Sequence, residues 1–229
     1  MWLGRVPFDR TAALQERLRT DILTAGGPET LLLCEHDPVI TLGRNARPQH
    51  VLAAPEELAR RGIALRQATR GGDVTYHGPG QLVGYPVFRL RQGLVAHLEK
   101  MAAAIVEVLA ALGISGQWRR DRPGVWVGAD KVCAFGLHVR HRVAIHGFAL
   151  NATTPAEAFA AIVPCGLSTG GVTSIARLRG HAPALGELAR ATAEAFERAF
   201  GLALGPVGSN FDPESFVLPV ANSNVRSIE

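Results

Sequence analysis

Residues 124–151 read GVWVGADKVCAFGLHVRHRVAIHGFALN, and this stretch decides the fold. It contains three apolar runs, 124–128, 131–139 and 143–151, separated only by Ala129-Asp130 and by Arg140-His141-Arg142. Connections this short join antiparallel neighbours, because a parallel crossover needs about a dozen residues or more. A three-stranded antiparallel meander is therefore predicted here. Working outward, residues 81–88 form another apolar strand. Leu94, Leu98, Met101, Ile105, Leu109 and Leu112 then repeat at helical spacing, which predicts a helix over 94–112. A first helix is expected over 9–25, with Asp9 or Thr11 as N-cap and Gly26-Gly27 as its stop. Strands follow at 30–34 and 38–43, a short helix opened by Pro55 at 55–62, and a strand at 63–67. Beyond the meander come a helix at 155–163, a Gly-rich segment at 165–171 and an amphipathic helix at 186–200. Helices flank strands, but hairpins join many of those strands, so the fold class is α+β rather than a doubly wound parallel sheet. One domain over 1–204 is expected, with residues 205–229 as a Pro-, Ser- and Asn-rich extension.

Composition narrows the function. The 229 residues are 47% hydrophobic and 19% charged, which excludes wholesale disorder. Cys34, Cys133 and Cys165 are far apart and form no C-x-x-C pair, which excludes a disulfide scaffold and fits a reducing cytosol. Arg5 and Asp9 interrupt the N-terminus before an apolar run can build, so no secretory signal is expected. The most apolar long stretch carries His97, Glu99, Lys100 and Glu107 and reads as a buried helix, not a membrane span. The net charge of +4 is spread out, without the dense basic run that nucleic-acid binding would show. Lysine occurs only at 100 and 131.

Three features could carry chemistry. Residues 70–80 place four glycines and a proline around Thr75, Tyr76 and His77, yet match neither a Walker loop nor a dinucleotide fingerprint. A surface turn is the ordinary use of such a loop, but this one runs straight into an apolar strand. Cys165 stands between Pro164 and Gly166, at a forced chain turn where backbone N–H groups are accessible and a thiol can be activated. Cys34 and Cys133, by contrast, lie in apolar runs and read as small core residues. Lys131 opens a strand, where lysines are usually solvated, and His146 reads as a core or edge histidine. No H-x-x-x-H or H-E-x-x-H spacing occurs, so no metal site is expected.

Residues 70–86, RGGDVTYHGPGQLVGYP, resemble the signature of the lipoyl(octanoyl) transferase family. Three further blocks follow in the family's order: Lys131 with Ala134-Phe135-Gly136, then His146-Gly147-Phe148-Ala149-Leu150-Asn151, then Pro164-Cys165-Gly166. The resemblance implies the catalytic fold of biotin and lipoate protein ligases. It implies transfer of octanoyl from acyl carrier protein to the lysine of a lipoyl domain, as in the E2 subunits of 2-oxoacid dehydrogenases and the glycine cleavage H protein. Cys165 is then the acyl-accepting nucleophile and Lys131 its activating partner. Arg70, Gly71, Gly72, Asp73, Val74, Thr75, Tyr76 and His77, with Ala134, Phe135, Gly136, Gly147, Phe148 and Ala149, are expected as pocket walls. No cofactor, metal, nucleic acid or membrane is implied, and a cytoplasmic monomer is expected. Cys133 and Phe135 depart from the small aliphatics usual there, which bears on pocket depth. Arg5, Arg44, Arg47, Arg140 and Arg142 are expected to steer acidic partners. An ATP-dependent ligase and a non-catalytic acyl-binding protein are the competing readings.

Overall fold

The computed structural model describes residues 1–163 and 171–204. A seven-stranded sheet has the order β1-β2-β6-β10-β9-β8-β7. Its strands are β1 (Trp2–Val6), β2 (Thr30–His36), β6 (Gln81–Val87), β7 (Gln117–Arg119), β8 (Gly124–Val127), β9 (Asp130–Arg140) and β10 (Val143–Asn151). β1 pairs parallel with β2, and every other pairing in this sheet is antiparallel. The meander predicted from residues 124–151 is thus its centre and one flank.

The two faces of this sheet bury different side chains of the same strands. Leu31, Leu33, Leu82, Phe148 and Leu150 enter the main core, which is covered by α3 (Leu94–Ala111) and α5 (Leu185–Phe200). Leu32, Cys34, Val83, Tyr85 and Ala149, their immediate neighbours, face the other way, towards α1 (Phe8–Ala25). This is the period-two alternation of a strand buried on both sides. It explains why β2 and β6 read as continuous apolar runs. A second sheet, ordered β4-β3-β5, comprises β3 (Val39–Leu42), β4 (Ala64–Gln67) and β5 (Val74–His77). It packs Ile40, Val74 and Tyr76 against Leu58 of α2 (Pro55–Arg60), Phe159 and Ile162.

Several expectations are corrected. β1 and β7 are absent from the sequence reading, because three to five residues carry too little periodicity to show. The residue 70–80 segment is not all loop, since β5 crosses its middle and pairs antiparallel with β3. The helix expected at 155–163 is only a short 3-10 turn, Ala156–Phe159, and the chain then extends so that Ile162 bridges Val51. α1 begins after Pro7; Asp9 lies in its first turn rather than capping it, and the Thr11 hydroxyl donates to the Phe8 carbonyl at 2.8 Å. A short α4 (Ile175–Arg179), capped by the Ser174 hydroxyl, went unpredicted. Leu94, placed on the buried stripe of α3, is 45% exposed, because the first turn of that helix overhangs the mouth of a cavity.

Candidate active site

The cavity, about 360 Å³, opens where the residue 70–73 loop closes over β9 and β10. Beyond Ala134, β9 outruns its partner β8, so its edge would stand open. The loop covers that edge: the Gly71 N–H donates to the Leu137 carbonyl at 2.8 Å. Close approach explains the glycines. A Cβ on Gly147 would sit 2.1 Å from the Gly84 carbonyl oxygen, and one on Gly136 3.2 Å from that of Gly71. Without side chains at these points the sheet and the loop leave space between them.

Of the residues expected as walls, Arg70, Gly71, Gly72, Asp73, Thr75 and His77 line one side of this space. Ala134, Phe135, Gly136, Gly147, Phe148 and Ala149 line the other, together with Lys131. Val74 and Tyr76 do not face it; strand alternation in β5 turns them into the apolar cluster with Phe159. Arg70 and Asp73 line it mainly as braces. The Arg70 guanidinium donates to the Thr41 carbonyl at 2.6 Å and hydroxyl at 2.8 Å. Asp73 accepts from the backbone N–H groups of Arg47 and Val74 at 3.1 and 2.8 Å and bonds the His50 ring.

Sequence reasoning missed Phe8, Val83, Tyr85, Leu94 and Leu98, and the rim formed by Asp121, Arg122 and Pro123. Val83 and Tyr85 could have been found from strand pairing, since Val83 is opposite Ala149. Nothing local marks the others. Behind the cavity lies a set of buried rings. His36 Nε2 is 2.7 Å from the Tyr85 hydroxyl and its Nδ1 2.7 Å from the Val6 carbonyl. His146, first read as an ordinary core histidine, has a left-handed φ of 59° and sets its Nε2 2.9 Å from the Thr69 hydroxyl. Burial pulls His77 and His146 down to about 3 and His36 to about 4. These rings are neutral at pH 7 and add no charge of their own to the wall.

Lys131 is 7% exposed, far from the usual solvated lysine. Its Nζ stands 4.9 Å from the centre of the Trp126 ring and 3.5 Å from the Pro123 carbonyl oxygen. Cys165 lies outside the described residues. The chain on either side of residues 164–170 is fixed: the Val163 N–H donates to the His50 carbonyl at 2.8 Å, and the Lys131 N–H donates to the Gly171 carbonyl at 3.0 Å. Burial pushes the thiols of Cys34 and Cys133 well above the usual range, which agrees with their reading as core residues. Among the described residues no group of three His, Cys, Asp or Glu side chains converges as metal ligands would. Nor is any described helix long and apolar enough to cross a membrane.

The family model of the lipoyl protein ligase A/B catalytic domain matches residues 8–197 of this chain. Lipoate-protein ligase A solved with ATP superimposes with a TM-score of 0.73 at 17% identity, covering 87% of this chain and 85% of that one. A biotin protein ligase from Aquifex aeolicus gives 0.51 at 13% identity, covering 88% and 68%. At those identities the likeness establishes the fold. Sequence similarity is closer elsewhere. An octanoyltransferase from Chloroflexus aggregans is 44% identical over 193 residues, 82% of this chain and 87% of its own. One from Myxococcus xanthus is 39% identical over 203 residues, 85% and 57%. This chain belongs to the lipoyl(octanoyl) transferase family.

Proposed function

We propose that the protein transfers an octanoyl group from octanoyl-acyl carrier protein to the lysine of a lipoyl domain through a thioester on Cys165. The acceptors would be the E2 subunits of 2-oxoacid dehydrogenases and the glycine cleavage H protein. The enzyme would act as a cytoplasmic monomer without a bound cofactor. The observation that carries this reading is Lys131, buried at the wall of a largely apolar cavity, with the segment 171–173 that follows residues 164–170 hydrogen-bonded to its backbone.

The chemistry runs in two halves. The Cys165 thiolate attacks the donor's thioester carbonyl, and the carrier thiol leaves with a proton supplied by the Lys131 ammonium. The acceptor amine then attacks the acyl-enzyme, neutral Lys131 takes its proton, an amide forms and the thiolate returns. Thioester exchange is nearly balanced and aminolysis runs downhill, so no ATP is consumed. The cavity supplies affinity. Seven carbons beyond the carbonyl, at about 0.8 kcal/mol each, give roughly 5–6 kcal/mol of transfer free energy. Neutral imidazoles along the inner wall add no ion of their own for the chain to desolvate.

Intact-mass measurement after mixing with octanoyl carrier protein tests the scheme. One octanoyl adduct is expected on wild type, discharged by a lipoyl domain, with none on Cys165→Ser. Product from free octanoate plus ATP, with no adduct from the carrier-bound thioester, would establish the ligase reading instead. Carrier binding with neither adduct nor product would leave a non-catalytic acyl-binding protein.

A further inference from the structure

We propose that Asn151 is a positioning residue for Lys131, acting through a directional chain of buried amides that begins at His77. The proposal rests on the reading of Lys131 as the reacting amine.

The chain is polar and almost wholly shielded: Gln81 is 1% and Asn151 4% exposed, and Thr173 is equally buried. Asn151 and Gln81 face one another across the β6–β10 pairing. His77 Nδ1 lies 2.8 Å from Gln81 Oε1; an amide oxygen only accepts, so the ring donates. That leaves the Gln81 amide nitrogen to donate to Asn151 Oδ1 at 2.9 Å. With its oxygen thus engaged, Asn151 donates through Nδ2 to the Thr173 carbonyl at 3.0 Å. The Thr173 N–H in turn donates to the Lys131 carbonyl at 3.0 Å, completing the bridge between residues 171–173 and the start of β9. Asp130 holds the other end of that bridge by accepting from the Gly171 N–H at 2.9 Å.

The Thr173 carbonyl can only accept, so Asn151 must donate to it and the direction of every earlier bond follows: the chain admits one arrangement. Lys131, Gln81 and Asn151 also line one small cavity of about 20 Å³, so the amides and the lysine border the same space. A buried amide pair that fixes the segment bridged to Lys131, on the side opposite its β8 partner Trp126, constrains the backbone from which that amine reaches the indole and the Pro123 carbonyl. Because His77 also lines the acyl cavity, the same chain ties the wall that the substrate touches to the lysine that serves it.

The chain's only lysines, at 100 and 131, make the test direct. Asn151→Asp keeps the side chain's shape and its acceptor but deletes the donor to Thr173. Trace labelling of amines with acetic anhydride, read by mass spectrometry, then compares Lys131 with Lys100 in the same molecule. Asn151→Asp is expected to raise the Lys131-to-Lys100 labelling ratio at least threefold. It should also lower kcat for octanoyl transfer at least thirtyfold, with KM for both substrates within threefold of wild type. Gln81→Glu, which removes the preceding donor, should move both readouts in the same direction by less, and decides the matter if Asn151→Asp does not fold. An unchanged labelling ratio, or a raised KM with kcat intact, would overturn the positioning role. The labelling ratio does not depend on turnover. A wild-type protein that transfers no octanoyl group would therefore defeat the functional reading while this measurement still judged the geometry.

Discussion

The two sides of strand β5 make an instructive pair. Thr75 and His77 line the cavity, while Val74 and Tyr76, alternating with them, pack in an apolar cluster with Phe159. Four consecutive residues of the family signature thus serve two purposes that differ only in which way the pleat turns them. A signature read as a string marks all four as site residues; read as a strand it divides them.

Substitution should separate the two sides. The largest effect is expected from Tyr76→Ala, which empties the apolar side: about 3–5 kcal/mol of stability lost in urea unfolding, with acyl-adduct formation per folded molecule within threefold of wild type. A stable variant with a lost adduct would mean that Tyr76 belongs to the cavity after all. On the open side, Ala134→Leu should fill the slot. At least a hundredfold drop in kcat/KM is expected with an octanoyl donor, a much smaller one with a butanoyl donor, and little change in stability. Equal losses for both donors would show that the chain does not pass Ala134.

A smaller effect concerns acid. His77, His146 and His36 have folded values of about 3, 3 and 4, below the unfolded value of 6.5. Above pH 6.5 the rings are neutral in both states and contribute nothing to the pH dependence. Between pH 6.5 and about 4 the unfolded chain binds more protons than the folded one, so stability falls as pH falls. The slope is on the order of 1 kcal/mol per pH unit for each ring. His146→Gln should flatten this slope in a set of urea melts from pH 7 to 4. Tyr76, on the apolar side, stays neutral throughout that range and has no such effect, since burial moves its hydroxyl upward.

How far each part could be read from the chain follows the same logic. The long elements were legible, because α1, α3, α5 and the meander carry many residues of one period. The glycines at 71 and 72 were legible as part of a loop open to close approach, whereas those at 136 and 147 were marked by the family resemblance alone. Tyr85, Phe8 and Leu98 were not, since each reaches the cavity from an element whose local pattern is that of ordinary core. Trp126, against which Lys131 rests, gave no sign at all.

Sequence by itself therefore determined the α+β class, the antiparallel centre and the family, because periodicity and residue chemistry are local properties. Tertiary structure alone decided which signature residues face the slot, that Lys131 is buried against an indole, and that amides from β6 and β10 bond the segment beside it. Those facts depend on contacts between distant segments, such as the 70 residues from Gln81 to Asn151. No window of sequence contains both ends of such a contact.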